Sequence, residues 1–187
     1  MKDFSKIENK YSKLILEATE IMKKVPDPKH SLSHMESVVK YTKEILVGVP
    51  EADVEVCILS SYWHDVGRIK GEKGHALLSA EMLKQELFNQ NYPESFIEKC
   101  YLAICKHGWN EYPETIEGKI IRDADKIDFV GIGRWKSCID NDCKFHKILE
   151  ILPVLRKDIL EFEISKEIYD REVGKLVGYL HDVIFKI

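Results

Sequence analysis

Residues 60 to 68 read Ser60-Ser61-Tyr62-Trp63-His64-Asp65-Val66-Gly67-Arg68, so an apolar helix ends in an imidazole, a carboxylate, a glycine and a cation. Burying such polar groups is costly unless their charge is compensated. A divalent ion would do this, because neutral imidazole and carboxylate are ligands that Mn, Fe, Co, Ni, Zn or Mg ions take. Two neighbouring ligands cannot fill a coordination sphere. We therefore expect other His and Asp residues on helices that converge on His64 and Asp65.

Length and composition are those of one globular domain. The chain has 187 residues, 44% of them apolar and 32% charged, and a formal net charge of -4. This length suits a single domain over residues 1–187, and the negative charge argues against a nucleic-acid partner. The first residues lack an apolar signal core, and no later stretch approaches the roughly 20 apolar residues of a membrane span. We expect a cytoplasmic protein without a membrane partner.

The five cysteines do not predict a disulfide framework. They are Cys57, Cys100, Cys105, Cys138 and Cys143, an odd number without a Cys-x-x-Cys pair. Steps of five residues put the members of each closer pair on different faces of a helix, which disfavours a zinc site built from thiolates. Core or incidental thiols are the simpler interpretation.

Apolar residues recur every three or four positions along most of the chain, which predicts helices throughout. Pro26-Asp27-Pro28 ends the first helix, Ser33 to Glu36 has capping-box spacing, and Gly67 and Gly108 end two others. The predicted helices span residues 7–25, 33–46, 51–66, 75–87, 93–107 and 116–127, with helical spacing again at Ile148, Leu149, Leu152 and Leu155 and from Ile168 to Ile184. Without strand alternation or a repeat, the expected fold class is all-α, a compact single-domain bundle of seven or eight helices.

Two further side chains on these helices are candidate ligands. His34 falls on the apolar face of its helix, so its imidazole should point towards the core, where a hydrogen-bonded core histidine is the alternative. Asp125 falls on the buried side of its helix, whereas Asp123 and Lys126 fall elsewhere. A buried carboxylate without a partner is disfavoured, which favours a metal ligand at Asp125.

Three runs of sequence carry a resemblance to a known family. They are His30-x-x-x-His34, Trp63 to Gly67, and Asp123-Ala124-Asp125-Lys126-Ile127-Asp128 followed by Gly131-Ile132-Gly133-Arg134. In this order, the chain from Asp27 to Arg134 resembles the HD-domain metal-dependent phosphohydrolases, and most closely small uncharacterised bacterial HD hydrolases. The resemblance implies an HD-type helical fold with a motif-bearing core at about residues 27–134 and C-terminal helices at 135–187.

The chain departs from the family pattern at two positions. Those relatives tend to have Asp after the first His and Arg three residues beyond the second, where this chain has Ser31 and Ser37. This puts in doubt the substrate contacts that those charges would make, but not the metal ligands. A second pair, His181-Asp182, is not followed by glycine and a cation, and we interpret it as incidental.

A divalent ion at His34, His64, Asp65 and Asp125 is what the resemblance implies. Such an ion lowers the pKa of bound water and offsets charge on a phosphoryl oxygen. The predicted function is therefore metal-dependent hydrolysis of a phosphomonoester or nucleotide phosphate by a metal-activated water, on a small phosphorylated substrate. The alternative is a metal-binding module that senses a nucleotide, or serves as an interaction domain, without turnover.

Four other residues are candidate substrate contacts. Arg68 is placed to bind two phosphate oxygens and Lys126 could supply a second positive charge, although either side chain could instead be a solvated surface cation. Trp109 and Tyr112, in the loop predicted after residue 108, could stack on a nucleobase or simply cover the core.

His75 and His107 leave the number of ions open at one or two. Both are predicted at helix ends that border the same loops. They could hold a second ion bridged to the first through Asp65, which would clamp the attacking and leaving oxygens. Otherwise they are neighbouring groups that can donate protons near neutral pH. We favour the second ion, with His107 as its surer ligand.

Overall fold

The structure, a computed structural model, describes residues 3–140, 150 and 152–185, and these residues form helices and turns without a strand. The α-helices are α1 (Phe4–Lys10), α2 (Ser12–Met22), α3 (Leu32–Gly48), α4 (Val54–Trp63), α5 (His75–Asn89), α6 (Glu94–Ile104), α7 (Ile116–Ile127), α8 (Ile132–Asp140) and α9 (Glu163–Phe185). Tighter 3-10 turns occupy Pro28–His30, Val66–Lys70 and Asp128–Val130, and a π-type turn occupies Leu155–Ile159. The all-α prediction is confirmed, although the first predicted helix is two helices, broken at Tyr11.

Two helices start at residues that differ from those predicted. Ser31 is the N-cap of α3, and its hydroxyl lies 2.9 Å from the hydroxyl of Ser33, so the prediction that Ser33 caps this helix was wrong. In α4 the Asp53 carboxylate accepts the backbone N–H of Val56, so the helix starts after Asp53 rather than at residue 51. His34 lies in the first turn of α3.

Helix α4 runs through the middle of the bundle. Its residues Cys57, Ile58 and Leu59 are fully buried, and the helix packs against α2, α3, α6 and α7. A helix that is apolar on every side must be enclosed by protein. Its last residue, Trp63, is buried and donates its indole N–H to the carbonyl of Leu14 in α2. The polar residues that follow Trp63 therefore emerge inside the bundle rather than at its surface.

Asp123 ties α7 to the C-terminal helix. Its buried carboxylate accepts the backbone N–H groups of Glu161 at 3.1 Å and Phe162 at 3.2 Å, in the turn before α9. Burial raises the pKa of Asp123 to about 6, against the opposing effect of these donors. Asp123 and Asp125 thus contact different parts of the structure, and Asp123 serves the fold. Asp123 is itself fully buried, so the prediction that it falls away from the buried side of its helix was wrong.

The remaining predictions concern cysteines, the C-terminal segment and the membrane. Cys57 and Cys100 are buried in the core. Cys143, Ile148 and Leu149, and the side chains of Cys138 and Ile184, lie outside the described residues. Among the helices of the described part, none combines the length and the apolar character that crossing a bilayer requires.

Candidate metal centre

Two sets of ligand-type side chains lie next to each other inside the bundle. The inner set consists of His34, His64 and Asp125, and the outer set consists of Asp65, His75 and His107. Within each set, the ligand atoms lie within 4.8 Å of one another. All six residues predicted as ligands are thus brought together, but Asp65 groups with the two histidines rather than with the other three residues.

The ends of five helices deliver these side chains. His34 lies in the first turn of α3, His64 and Asp65 follow α4, His75 begins α5, His107 follows α6, and Asp125 lies in the last turn of α7. The helices predicted to continue to Val66 and to His107 end earlier, at Trp63 and Ile104. His64 and His107 are therefore presented from turns.

Gly67 lets the turn after α4 lie directly against α5. Its backbone N–H donates to the Ser79 hydroxyl at 2.8 Å. A Cβ atom at this position would lie 2.8 Å from the backbone nitrogen of Ser79 and would also clash with the carbonyl oxygen of His75. Gly67 was predicted as a helix stop, but its role is this close approach, which brings Asp65 beside His75.

Three imidazoles are oriented by main-chain carbonyls. The Nδ1 atoms of His64, His75 and His107 lie 2.8, 2.8 and 2.7 Å from the carbonyl oxygens of Ser61, Glu72 and Ile104. Since a carbonyl oxygen only accepts hydrogen bonds, each Nδ1 carries the proton, which leaves the Nε2 lone pair of a neutral ring free to bind a metal ion. The Nε2 atom of His107 is buried without a hydrogen-bond partner.

Asp65 lies between the two sets. Its Oδ1 atom is 3.3 Å from Nε2 of His75 and 3.5 Å from Nε2 of His107, whereas its Oδ2 atom is 3.5 Å from Nε2 of His34. The carboxylate is buried, and Oδ1 has no hydrogen-bond partner. Each oxygen therefore faces one set, which is the arrangement that a bridging ligand requires.

The inner set brings two imidazoles very close together. The Nε2 atoms of His34 and His64 lie 3.1 Å apart, and the Oδ1 atom of Asp125 lies 3.4 Å from the same atom of His34. Two nitrogens bound to one ion at about 2.1 Å each, at a right angle, would be about 3 Å apart. The donor atoms thus fit a shared divalent ion.

The protonation of the two inner histidines differs. Burial and the Arg134 guanidinium oppose a charge on His34, but the carboxylates of Asp125, Asp128 and Asp65 outweigh them and raise its pKa to about 10. Burial lowers the pKa of His64 to about 3, and the neighbouring His34 adds to that effect. In the absence of metal, one proton shared with the surrounding carboxylates thus neutralises part of the negative charge of the inner set.

Two basic side chains border the sets. Arg68 donates from Nε to Oδ2 of Asp65 at 2.6 Å, and its Nη2 atom lies 3.1 Å from Nε2 of His75. Lys126 donates to Oδ2 of Asp125. Lys126 is buried, so the prediction that it falls away from the buried side of its helix was wrong, and it is not a solvated surface cation.

The two predicted aromatic contacts lie over basic residues of α7. The ring of Trp109 lies 5.4 Å from the Lys126 ammonium and packs edge-on against Phe129. Tyr112 is 70% exposed, with its ring 5.0 Å from the Arg122 guanidinium. The structure thus places Trp109 beside a residue that contacts the inner set, and places Tyr112 further along α7.

Two residues without a predicted role lie next to the inner set, Asp128 in contact with His34 and Arg134 in contact with Asp128. The Oδ2 atom of Asp128 lies 2.7 Å from Nδ1 of His34, and Nε of Arg134 lies 3.2 Å from the same Oδ2. One sequence signal was available: Asp128 follows Asp125 by three residues, a step that keeps both side chains on one side of a helix.

The chain is similar to known proteins in both sequence and fold. The HD domain family model matches residues 31–129, a range that includes both ligand sets. The fold is similar to that of a predicted HD superfamily hydrolase from an uncultured Thermotogales bacterium, with a TM-score of 0.73 and 19% identity over 94% of this chain and 91% of that chain. No curated protein matches the sequence significantly.

Two other solved structures share the fold. Bacillus subtilis YpgQ, in complex with ADP, has a TM-score of 0.71 and 15% identity over 97% of this chain and 96% of that chain. The Lin1889 protein from Listeria innocua has a TM-score of 0.63 and 20% identity over 94% of this chain and 96% of that chain.

Proposed function

Because the chain belongs to the HD-domain family, we propose that it is a metal-dependent phosphohydrolase that cleaves a phosphomonoester or nucleotide phosphate with a metal-activated water. The observation that carries this proposal is the pair of ligand sets joined by Asp65. Buried atoms such as Oδ1 of Asp65 and Nε2 of His107 lack hydrogen bonds, which is costly unless a cation binds there.

The inner set and Oδ2 of Asp65 would hold one divalent ion, and the outer set would hold a second. The ligand chemistry of histidine and carboxylate suits Mn, Fe, Co, Ni, Zn or Mg ions. Bound ions of this kind supply Lewis acidity and lower the pKa of a coordinated water. Asp65 contributes negative charge to both sets and keeps them at a short separation.

Arg68 is the proposed phosphate contact. It is half-buried at the edge of the outer set, and its guanidinium can leave His75 to bind two oxygens of a phosphate while Nε stays on Asp65. Lys126 is held by Asp125, so we assign it to orienting that carboxylate and to adding positive charge near the substrate.

A nucleotide is the substrate class that we favour within this proposal. The structurally similar YpgQ was solved with ADP. In this chain the half-buried Trp109 ring, next to Lys126, offers an aromatic face on which a base could stack, and we keep Tyr112 as a second such face.

A phosphate-release assay tests the proposal. Metal-free protein is supplied with Mn, Co, Ni, Mg or Zn in turn and offered a panel of nucleotides and sugar phosphates, and we expect turnover that depends on the added ion. Activity that survives exhaustive chelation would contradict the metal-dependent mechanism. Nucleotide binding without turnover under every condition would instead support the alternative of a sensing or interaction module.

A further inference from the structure

We propose that Asp128 and Arg134 are positioning residues, which hold His34 in the ring orientation that the inner set needs. The inference rests on the proposed function only in treating the inner set as a metal site. Neither residue contacts the proposed ions, so each acts through His34.

The Nδ1 atom of His34 donates to a charged side chain, unlike the other imidazoles of the site. Its partner, Oδ2 of Asp128 at 2.7 Å, comes from 94 residues further along the chain, and both side chains are buried. His64, by contrast, donates to the main-chain carbonyl of Ser61, three residues earlier. A carboxylate that accepts from the far nitrogen of a metal-binding imidazole fixes its tautomer and raises the basicity of the ligating nitrogen.

Arg134 holds Asp128 in place. Its Nε atom lies 3.2 Å from Oδ2 of Asp128, and its Nη2 atom donates to the carbonyl oxygen of Lys29 at 2.8 Å. The guanidinium carbon lies 4.4 Å above the ring of Phe129. The cation compensates a buried carboxylate that would otherwise be costly, and its contacts to Lys29 and Phe129 restrict how Asp128 can move.

Gly131 offers an independent way to disturb Asp128. A Cβ atom at residue 131 would lie 2.8 Å from Oδ1 of Asp128, closer than real Cβ contacts allow. The backbone of Gly131 has φ of -68°, which alanine also adopts, so the substitution does not strain the backbone of residue 131. The added methyl group instead clashes with Asp128 and its neighbours. A Cβ atom at Gly133, two residues later, would meet nothing within 4 Å. Gly131→Ala and Gly133→Ala are therefore a matched pair.

Cobalt binding to metal-free protein is the test. Co²⁺ titrations, followed by visible absorption and calorimetry, should show affinity lowered about 10- to 100-fold in Asp128→Asn and Gly131→Ala. The control variants Asp123→Asn, a buried carboxylate on the other side of α7, and Gly133→Ala should bind Co²⁺ like the wild type. Proton NMR should show that the Nδ1 proton of His34, hydrogen-bonded to the Asp128 carboxylate in the wild type, exchanges faster with water in Asp128→Asn.

The outcomes separate this inference from the proposed function. Wild-type Co²⁺ affinity and unchanged exchange of the His34 Nδ1 proton in Asp128→Asn would overturn the role of Asp128 and leave the metal centre intact. Failure of the wild type to bind Co²⁺ at all would overturn both. If Asp128→Asn does not fold, Arg134→Lys is the deciding variant, because it keeps the positive charge but loses the planar guanidinium. Weaker Co²⁺ binding by Arg134→Lys would support the inference, and wild-type binding would contradict it.

Discussion

The inner and outer sets contain the same kinds of ligand but differ in their surroundings. The side chains of the inner set are at most 8% exposed, and Lys126 donates to the Oδ2 atom of Asp125, while the Oδ1 atom of Asp125 faces His34. In the outer set, His75 is 14% exposed and its ligating nitrogen already contacts Arg68. An ion entering the outer set must displace this guanidinium. We infer that the inner set binds its ion first and more tightly, and that the outer set fills when metal is plentiful.

Asp65→Ala should have the largest effect, because it removes the side chain that the two sets share. We expect loss of turnover by at least about a thousandfold, equivalent to several kcal/mol of lost charge stabilisation, with lower content of both ions. The helical circular dichroism signal should remain, because the apolar core around Leu59 and Trp63 is untouched. A variant that keeps the wild-type rate would show that neither set is catalytic.

His107→Ala should separate the two sets. Elemental analysis of protein loaded with excess metal should give about two ions per chain in the wild type and about one in the variant, since the inner set is intact. His75→Ala should also lower the number of bound ions, but by less than His107→Ala does, because His75 lies at the more exposed side of the outer set. One ion per chain in the wild type, unchanged in both variants, would show that His75 and His107 are neighbouring groups and not ligands of a second ion.

Arg68→Ala should weaken substrate use without removing metal. The loss of a charge-assisted hydrogen bond to phosphate predicts a decrease in kcat/KM equivalent to about 1.5–3 kcal/mol. Because Arg68 competes for His75, the affinity of the outer set for its ion should stay the same or rise. A fall in bound metal as large as the fall in activity would show instead that Arg68 shapes the outer set.

The smallest expected effect is a difference in the number of protons released when the first and the second ion bind. The pKa of His34 is raised to about 10 in the fold, above the usual value of about 6.5. The proton on His34 therefore stabilises the metal-free fold fully below about pH 6.5, and this stabilisation is lost as the pH rises through 10. The first ion must therefore expel about one proton between pH 7 and 9. Burial lowers the pKa of His75, so that side chain has no proton to lose when the second ion binds.

Calorimetry in two buffers of different ionisation enthalpy measures these protons. We expect about one released with the first ion, and an apparent affinity for that ion that rises up to tenfold per pH unit in this range. Equal proton release in both steps would contradict the assignment of the tighter ion to the inner set.

The clustering of the six candidate ligands was predictable from sequence, because histidines and acids at helix ends or on apolar faces are few. All six predicted side chains lie in the two sets. The division of the sets was not predictable, since it depends on which oxygen of Asp65 faces which helix. The burial of Lys126 was missed because helical spacing assigns a face but not the loop that covers it, and here Trp109 lies over its ammonium.

The errors in predicting helix ends and side-chain contacts also have physical causes. Ser31 and Ser33 can both cap a helix, and spacing to Glu36 favoured the wrong one. The contact between Asp128 and His34 joins positions 94 residues apart, a separation at which one sequence carries no pairing signal. Helical periodicity also cannot show that α4 ends three residues before Val66, because Trp63 and Val66 are both apolar and buried.

The hydrogen bonds from Nδ1 of His64, His75 and His107 to nearby carbonyls bear on how the protein acquires its metal in the cell. Backbone carbonyls set the direction of these three rings independently of any bound ion. An ion could therefore bind without reorienting them. If the two sets bind metal as proposed, the ion they hold would accordingly follow the supply of free divalent ions, because imidazole and carboxylate ligands suit several of them.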